Sequence, residues 1–265
     1  IFGLYSQFHI DLFEGSQLTV GARYDASRRY GGMLSPRLAL VMSRLGNWDL
    51  KLLYGEGFHG PSPYEGFGQD GVDGWQASGR DSLRSRVPSP ELKPERVRTA
   101  ELALAWTAPR GVQIRLNGFG SEISELMTIV EAGPGFSDGV QKRVNAGEGV
   151  VYGATLSAAG QVRIGAWLLE PHSSYAWIDG DLDGEALPYT STHSVKLGLD
   201  MRWKQTSLSL MARYGSEQRH PSSLDADGSP VTVKGSMDTR VFLEHTVFTG
   251  AVDADGRAPS VSVWF

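Results

Sequence analysis

Apolar residues fall on every second position through segment after segment of this chain, and that period constrains the fold more than any other feature. Successive side chains of a β-strand point to opposite faces, whereas a helix would set Leu197 and Leu199 about 200° apart around its axis. From Ser16 to Asp25 the apolar set Leu18, Val20, Ala22 and Tyr24 is interleaved with Thr19, Gly21, Arg23 and Asp25. Ala100, Leu102, Leu104 and Trp106 repeat the pattern, as do Val112, Ile114 and Leu116, then Val195 to Trp203, then Leu208 to Tyr214. No apolar run reaches the roughly 18 residues that a spanning helix needs. A wall of strands with one apolar and one polar face is what remains, and the mean hydropathy of -0.23 suits it because half of each strand can face water.

Weaker alternation runs through Phe2 to Phe13, Pro36 to Arg44, Trp48 to Gly55, Val150 to Ala158, Val162 to Leu169, Asp238 to Val247 and Ala258 to Phe265, giving about twelve strands in all. Each is near the roughly 9–11 residues that a tilted strand needs to cross the hydrocarbon. The links are sorted by length. Short ones are Glu14-Gly15, Leu45-Gly46-Asn47, Ala108 to Gly111, Ala159-Gly160 and Lys204-Gln205; long ones are Ala26 to Ser35, Glu56 to Arg98, Glu125 to Gly149, Glu170 to Thr192 and Gly215 to Ser236. Short turns on one rim and long loops on the other fit an all-β, antiparallel, up-and-down transmembrane β-barrel, partial or closed, with short periplasmic turns and long extracellular loops. Tyr5, Tyr24, Trp48, Tyr54, Trp106, Trp167, Trp203, Tyr214 and Trp264 fall near strand ends, as a headgroup girdle would place them; the alternative is the ordinary aromatic core of a soluble β-sheet binding module.

A net charge of -5 and a pI near 5.7 give no basic field to gather nucleic acid, so no nucleic-acid partner is expected. With no cysteine there is neither a disulfide framework nor a thiolate metal site. The six histidines, His9, His59, His172, His193, His220 and His245, lack the i, i+4 spacing of a metal pair, so no metal and no cofactor is expected. The opening IFGLYSQFHIDLF has neither the charged region nor the small-residue cleavage site of a signal peptide, which points to a mature or truncated chain.

Three stretches resemble TonB-dependent receptor barrels: KLLYGEGFHGPSPYEGF (51–67), PELKPERVRTAELAL (90–104) and DGEALPYTSTHSVKLGLDMRW (183–203), taken in that order. The first is similar to an aromatic-Gly-Glu-Gly-Phe-Arg-Ala-Pro-Ser passage, with His59 and Gly60 where the family has Arg and Ala. The second is similar to an Asn-Pro-x-Leu-Lys-Pro-Glu motif, with Ser89 in place of Asn. Val261, Val263 and Phe265 resemble the alternating C-terminal signature of outer-membrane proteins, although Thr249 to Arg257 lacks the family's Asn-Leu-Phe-Asp motif. Since the family barrel has about 22 strands around a plug, the resemblance implies that residues 1–265 form one barrel domain equivalent to its C-terminal portion. It further implies a bacterial outer-membrane receptor and transporter for a scarce nutrient, an iron-siderophore complex or a cobalamin. Its partners would be outer-membrane lipid, the small-molecule ligand, and a TonB complex reached only through a plug domain missing from this sequence.

Within the motifs, Lys93-Pro94-Glu95 is expected to set geometry, because Pro94 fixes its own backbone and biases Lys93 towards an extended form. Asp179, Asp181, Asp183 and Gly184 begin like a calcium loop, but Thr190 stands where the bidentate carboxylate belongs, so a solvated acidic loop is the better reading. Gly135-Phe136-Ser137-Asp138-Gly139 fits G-x-S-x-G without the strand and helix that a nucleophile elbow requires. No catalytic residue is singled out. The alternative of a small outer-membrane barrel enzyme, protease-like or lipase-like, would need a paired acid or Ser-His constellation at the loop rim. The candidate ligand contacts are His59, Tyr64, Phe67, Trp75, Arg80, Arg84 and Arg86, since guanidinium groups can hold anionic oxygens and aromatic faces can hold the flat parts of a chelate.

Overall fold

The alternation becomes a single curved sheet. The structure, a computed structural model, describes residues 2–67, 86–109, 111–134, 140–224, 227, 230–249 and 260–264. In chain order the elements are β1 (Phe2–Phe13), β2 (Ser16–Ser27), β3 (Gly31–Leu45), β4 (Trp48–His59), α1 (Pro63–Phe67), β5 (Glu95–Thr107), β6 (Gln113–Glu131) and β7 (Gln141–Ala159). They continue with β8 (Val162–Ile164), β9 (Trp167–Leu182), β10 (Glu185–Ala186), β11 (His193–Trp203), β12 (Thr206–Gly215), β13 (Gln218–Leu224), β14 (Pro230–Val233), β15 (Ser236–Thr249) and β16 (Ser260–Trp264). Neighbours pair in the order β1-β2-β3-β4-β5-β6-β7-β9-β11-β12-β15-β16, while β13 and β14 form a separate hairpin. Every pairing between these strands is antiparallel, and once the short β8 and β10 and the β13–β14 hairpin are set aside each joins strands that follow one another. Among the described residues no pairing joins β1 to β16, so the wall is an open sheet with these two strands as its edges.

Register sorts the side chains by face. One row runs Leu40, Leu52, Leu102 across β3, β4 and β5, and another runs Leu104, Leu116, Leu156, Tyr175, Val195 and Tyr214 from β5 to β12. These side chains are not gathered into a dry interior: Leu102 is 39% exposed and Leu156 49%. The buried apolar side chains among the described residues are Met33, Leu92 and Ala132, none of them in those rows. A soluble sandwich would hide such leucines at a gain of about 1.5–3 kcal/mol each, so this face is built for a hydrocarbon solvent.

The opposite face is polar and cross-bonded. His9 Nδ1 lies 3.0 Å from Thr19 Oγ1, Gln17 donates to Asp11 at 3.2 Å, Arg115 donates to Gln113 at 2.9 Å, and Ser209 donates to Asp200 at 2.5 Å. Arg202 pairs with Glu170. Two tryptophan pairs mark the short-turn rim on the apolar face. Trp48 and Trp106 lie 6.1 Å apart between ring centres, Trp167 and Trp203 lie 5.7 Å apart, and Lys204 sits 4.8 Å from the Trp203 ring. Tyr152 and Trp177, 5.5 Å apart, mark the other end.

Several loop boundaries differ from the sequence reading. The expected turn at Ala159-Gly160 is a break between β7 and β8, which both pair with β9, and the chain reverses at Gly165, whose φ is 60°. The segments expected as loops from Ala26, Glu125 and Glu170 are largely strand: β3 starts at Gly31, β6 runs to Glu131, β7 starts at Gln141 and β9 runs to Leu182. The 19 residues of β6 and of β7 exceed the roughly 9–11 needed to cross the hydrocarbon, so their upper parts stand clear of it. There water wets both faces, and nothing imposes the one-sided alternation that marks a strand. β16 pairs with β15, which brings Val261 and Val263 into the wall; Phe265 and most of Thr249 to Arg257 lie outside the described residues.

Candidate functional site

The long-loop rim brings charged groups and aromatic rings together. Between β4 and β5, Ser62 caps α1: its N–H donates to Glu65 Oε2 at 2.7 Å, and the Glu65 N–H donates to Ser62 Oγ at 3.2 Å. This reciprocal pair satisfies two donors at the start of a very short helix. From the β2–β3 turn, Arg29 donates to the carbonyls of Pro61 at 3.2 Å and Ser62 at 3.1 Å, and its guanidinium lies 4.8 Å from the Phe67 ring centre. From β7, Arg143 stands 5.8 Å from the Tyr64 ring centre. Each aromatic ring of α1 thus has a cation near its face.

The Ser62 N–H holds the Glu65 carboxyl below the usual carboxylate range; partial burial opposes this, and the Ser62 hydroxyl, His59 and Arg143 support it. Because the folded value is depressed, the cap's contribution is complete above the unfolded carboxylate range and is lost as pH falls through the lowered value. Protection of the Ser62 amide, taken against its intrinsic exchange rate at each pH, should therefore fall on acidification below about pH 4, and a Glu65→Gln chain should lose that dependence. Equal protection of Ser62 at about pH 6 and about pH 3 would refute the assignment.

The PELKPE stretch sets geometry. Leu92 and Pro94 are buried. Glu95 accepts the Met127 N–H at 2.8 Å through Oε1 and contacts His59 Nδ1 at 3.0 Å through Oε2. Below it opens a cleft of about 660 Å³ lined by Tyr30, Met33, Lys93, Arg96, Glu125 and Asn145, among others. Arg96 reaches Met33 Sδ at 3.7 Å, and Lys93 Nζ is 3.6 Å from Glu125 Oε1. The cleft thus offers cations and open space at one end of the wall.

Of the expected contacts, Tyr64 and Phe67 are brought together on α1, 54% and 56% exposed, with His59 at the end of β4. Arg86 bridges to Gln141 with its Nε buried and unbonded among the described residues. Trp75, Arg80 and Arg84 lie outside the described residues, as does the Gly135 to Gly139 match. Sequence reasoning missed Arg29, Arg143 and Asn145, because they reach the rim from the β2–β3 and β6–β7 hairpins and no local motif announces them.

The three aspartates after Trp177 are used structurally. Asp179 and Asp181 accept the N–H groups of Gly180 and Gly184, at 2.8 and 3.2 Å, and Asp183 Oδ1 accepts the Glu148 N–H at 2.8 Å. Among the described residues no group of three His, Asp or Glu side chains is placed to hold a metal ion.

Comparison with known proteins agrees with this architecture. The family model described as TonB dependent receptor-like, beta-barrel matches residues 1–240. The iron-regulated outer membrane virulence protein of Vibrio cholerae is 30% identical over 151 residues, 54% of this chain and 22% of that protein. Among solved structures, the ferric enterobactin receptor PfeA of Pseudomonas aeruginosa superposes with a TM-score of 0.68 at 17% identity, covering 93% of this chain and 37% of that one. The siderophore receptor PirA of Acinetobacter baumannii gives 0.70 at 14% identity, covering 93% and 39%. The chain therefore spans well under half the length of these relatives, and the structural likeness at such identities speaks for the fold. Apolar rows on one face, a polar opposite face, sorted rims and a match over most of its length all agree: this chain belongs to the TonB-dependent receptor-like β-barrel family and lies in a bacterial outer membrane.

Proposed function

We propose that residues 1–265 act as one wall unit of a receptor and transporter that captures a ferric chelate at the long-loop rim, and that the chain has no enzymatic role. The observation that carries this reading is the arginine and aromatic cluster, with Arg29 over Phe67 and Arg143 near Tyr64, beside the 660 Å³ cleft. Anionic catecholate or carboxylate oxygens suit guanidinium forks, and the flat faces of a chelate suit exposed rings. His59, Tyr64, Phe67 and Arg86, with Trp75, Arg80 and Arg84 from the same loop, are the proposed contacts. The relatives named for iron or siderophores support a ferric chelate over a cobalamin.

Outer-membrane lipid is the proposed partner of the apolar face. Coupling to a TonB complex would pass through a plug domain seated against the polar inner face. The test is quenching of intrinsic fluorescence in the full chain, reconstituted in outer-membrane lipid, by ferric tris-catecholate, a ferric trihydroxamate or cyanocobalamin. Saturable quenching by a ferric chelate, weakened when Tyr64 and Phe67 are both replaced by alanine, is the expected result. Binding of cyanocobalamin alone, or of none of the three, would overturn the reading.

A further inference from the structure

The return arm of the loop between β4 and β5, residues 86–95, lies along the upper part of β7, where β7 is paired with β6 on one side and has run beyond its pairing with β9, which begins at Gly149. Arg86 bridges to Gln141 in a parallel sense, the Val87 N–H donates to the Gln141 carbonyl at 2.9 Å, and the Arg143 N–H donates to Ser89 Oγ at 3.0 Å. This arm therefore covers backbone groups of β7 that no neighbouring strand satisfies.

Asn145 closes the arrangement. Its Oδ1 accepts the Lys93 N–H at 2.7 Å, while its Nδ2 donates to the Lys93 carbonyl at 2.9 Å and to the Glu125 carbonyl at 2.7 Å. The opposite amide orientation would set NH₂ against an N–H and oxygen against two carbonyls, so the partners themselves fix the orientation. Asn145 sits where the hairpin is irregular: the register shifts on both sides of Leu126, and Glu125 has φ 57°, a left-handed conformation that a side chain adopts at a cost. One amide thus binds the strap, the strained residue of β6 and the wall of the 660 Å³ cleft, which Lys93, Glu125 and Asn145 itself help to line.

We infer that Asn145 is a positioning residue for ligand capture: by clamping residues 86–95 to the β6–β7 hairpin it gives this arm and the cleft one shape. The inference rests on the rim being the capture site, but the clamp can be tested apart from it. An Asn145→Asp chain keeps the shape and one acceptor yet loses both donors. Amide exchange across Val87 to Lys93 should rise about tenfold, while heat-modifiable migration, which reports the folded wall, stays unchanged. Affinity for ferric tris-catecholate should fall by a similar factor. Unchanged exchange in Asn145→Asp, or raised exchange with affinity unchanged, would overturn the inference. If the parent chain binds no ferric chelate, the proposed function falls while the exchange comparison still decides the clamp.

Discussion

Leu102→Arg should destabilise the membrane-inserted sheet by about 2–4 kcal/mol, while Ala103→Arg one position away should cost far less. Leu102 lies in the apolar row between Leu52 and Gly118, where an arginine head would meet hydrocarbon on every side except the wall. Ala103 lies between Lys51 and Asn117 on the polar face, where a guanidinium finds water and acceptors. The free energies would be read from denaturant titrations in lipid bilayers, following the shift between heat-modified and unmodified bands. Equal costs for the two variants, or a larger one for Ala103→Arg, would reverse the assignment of faces and with it the membrane reading.

Gly180→Val should be nearly as damaging for a different reason. Gly180 has φ 145°, and a Cβ there would stand 2.0 Å from the Val150 carbonyl oxygen and 2.9 Å from Val151 Cα. Both neighbours are backbone atoms in the paired strand β7, so relief requires β7 and β9 to separate. A loss of about 3 kcal/mol or more is expected, with amide exchange rising first at Val150 and Val151. Gly120→Ala is the control, since nothing lies within 4 Å of a Cβ built there. A Gly180→Val chain that folds with unchanged midpoint and protection would show that the upper β7–β9 pairing is not as described.

Both predictions bear on why some of this protein is legible in its sequence. Within the hydrocarbon, lipid on one side and water on the other act on every residue, so Leu102, Leu104, Leu197 and Leu199 declare their face by spacing alone. At β9 the signal is diluted: Pro171 and Ser173 occupy the same face as Tyr175 and Trp177, and a strand running to Leu182 reads as a loop from Glu170. At the rim the signal vanishes. Ser62 and Glu65 stand three residues apart and could be recognised as a cap, but Arg29 is 32 residues from Pro61 and Asn145 is 52 from Lys93.

The sequence by itself determined the strand period, the two faces, the sorting of tight turns to one rim and, through three short motifs, the family. The tertiary structure decided how far β6, β7 and β9 rise past the membrane, that among the described residues no pairing joins β1 to β16, and which residues meet around the cleft. The division has one physical cause. The bilayer is a solvent that reads each side chain where it stands, whereas a hydrogen bond between hairpins depends on where the chain has carried two distant residues, and no local pattern records that.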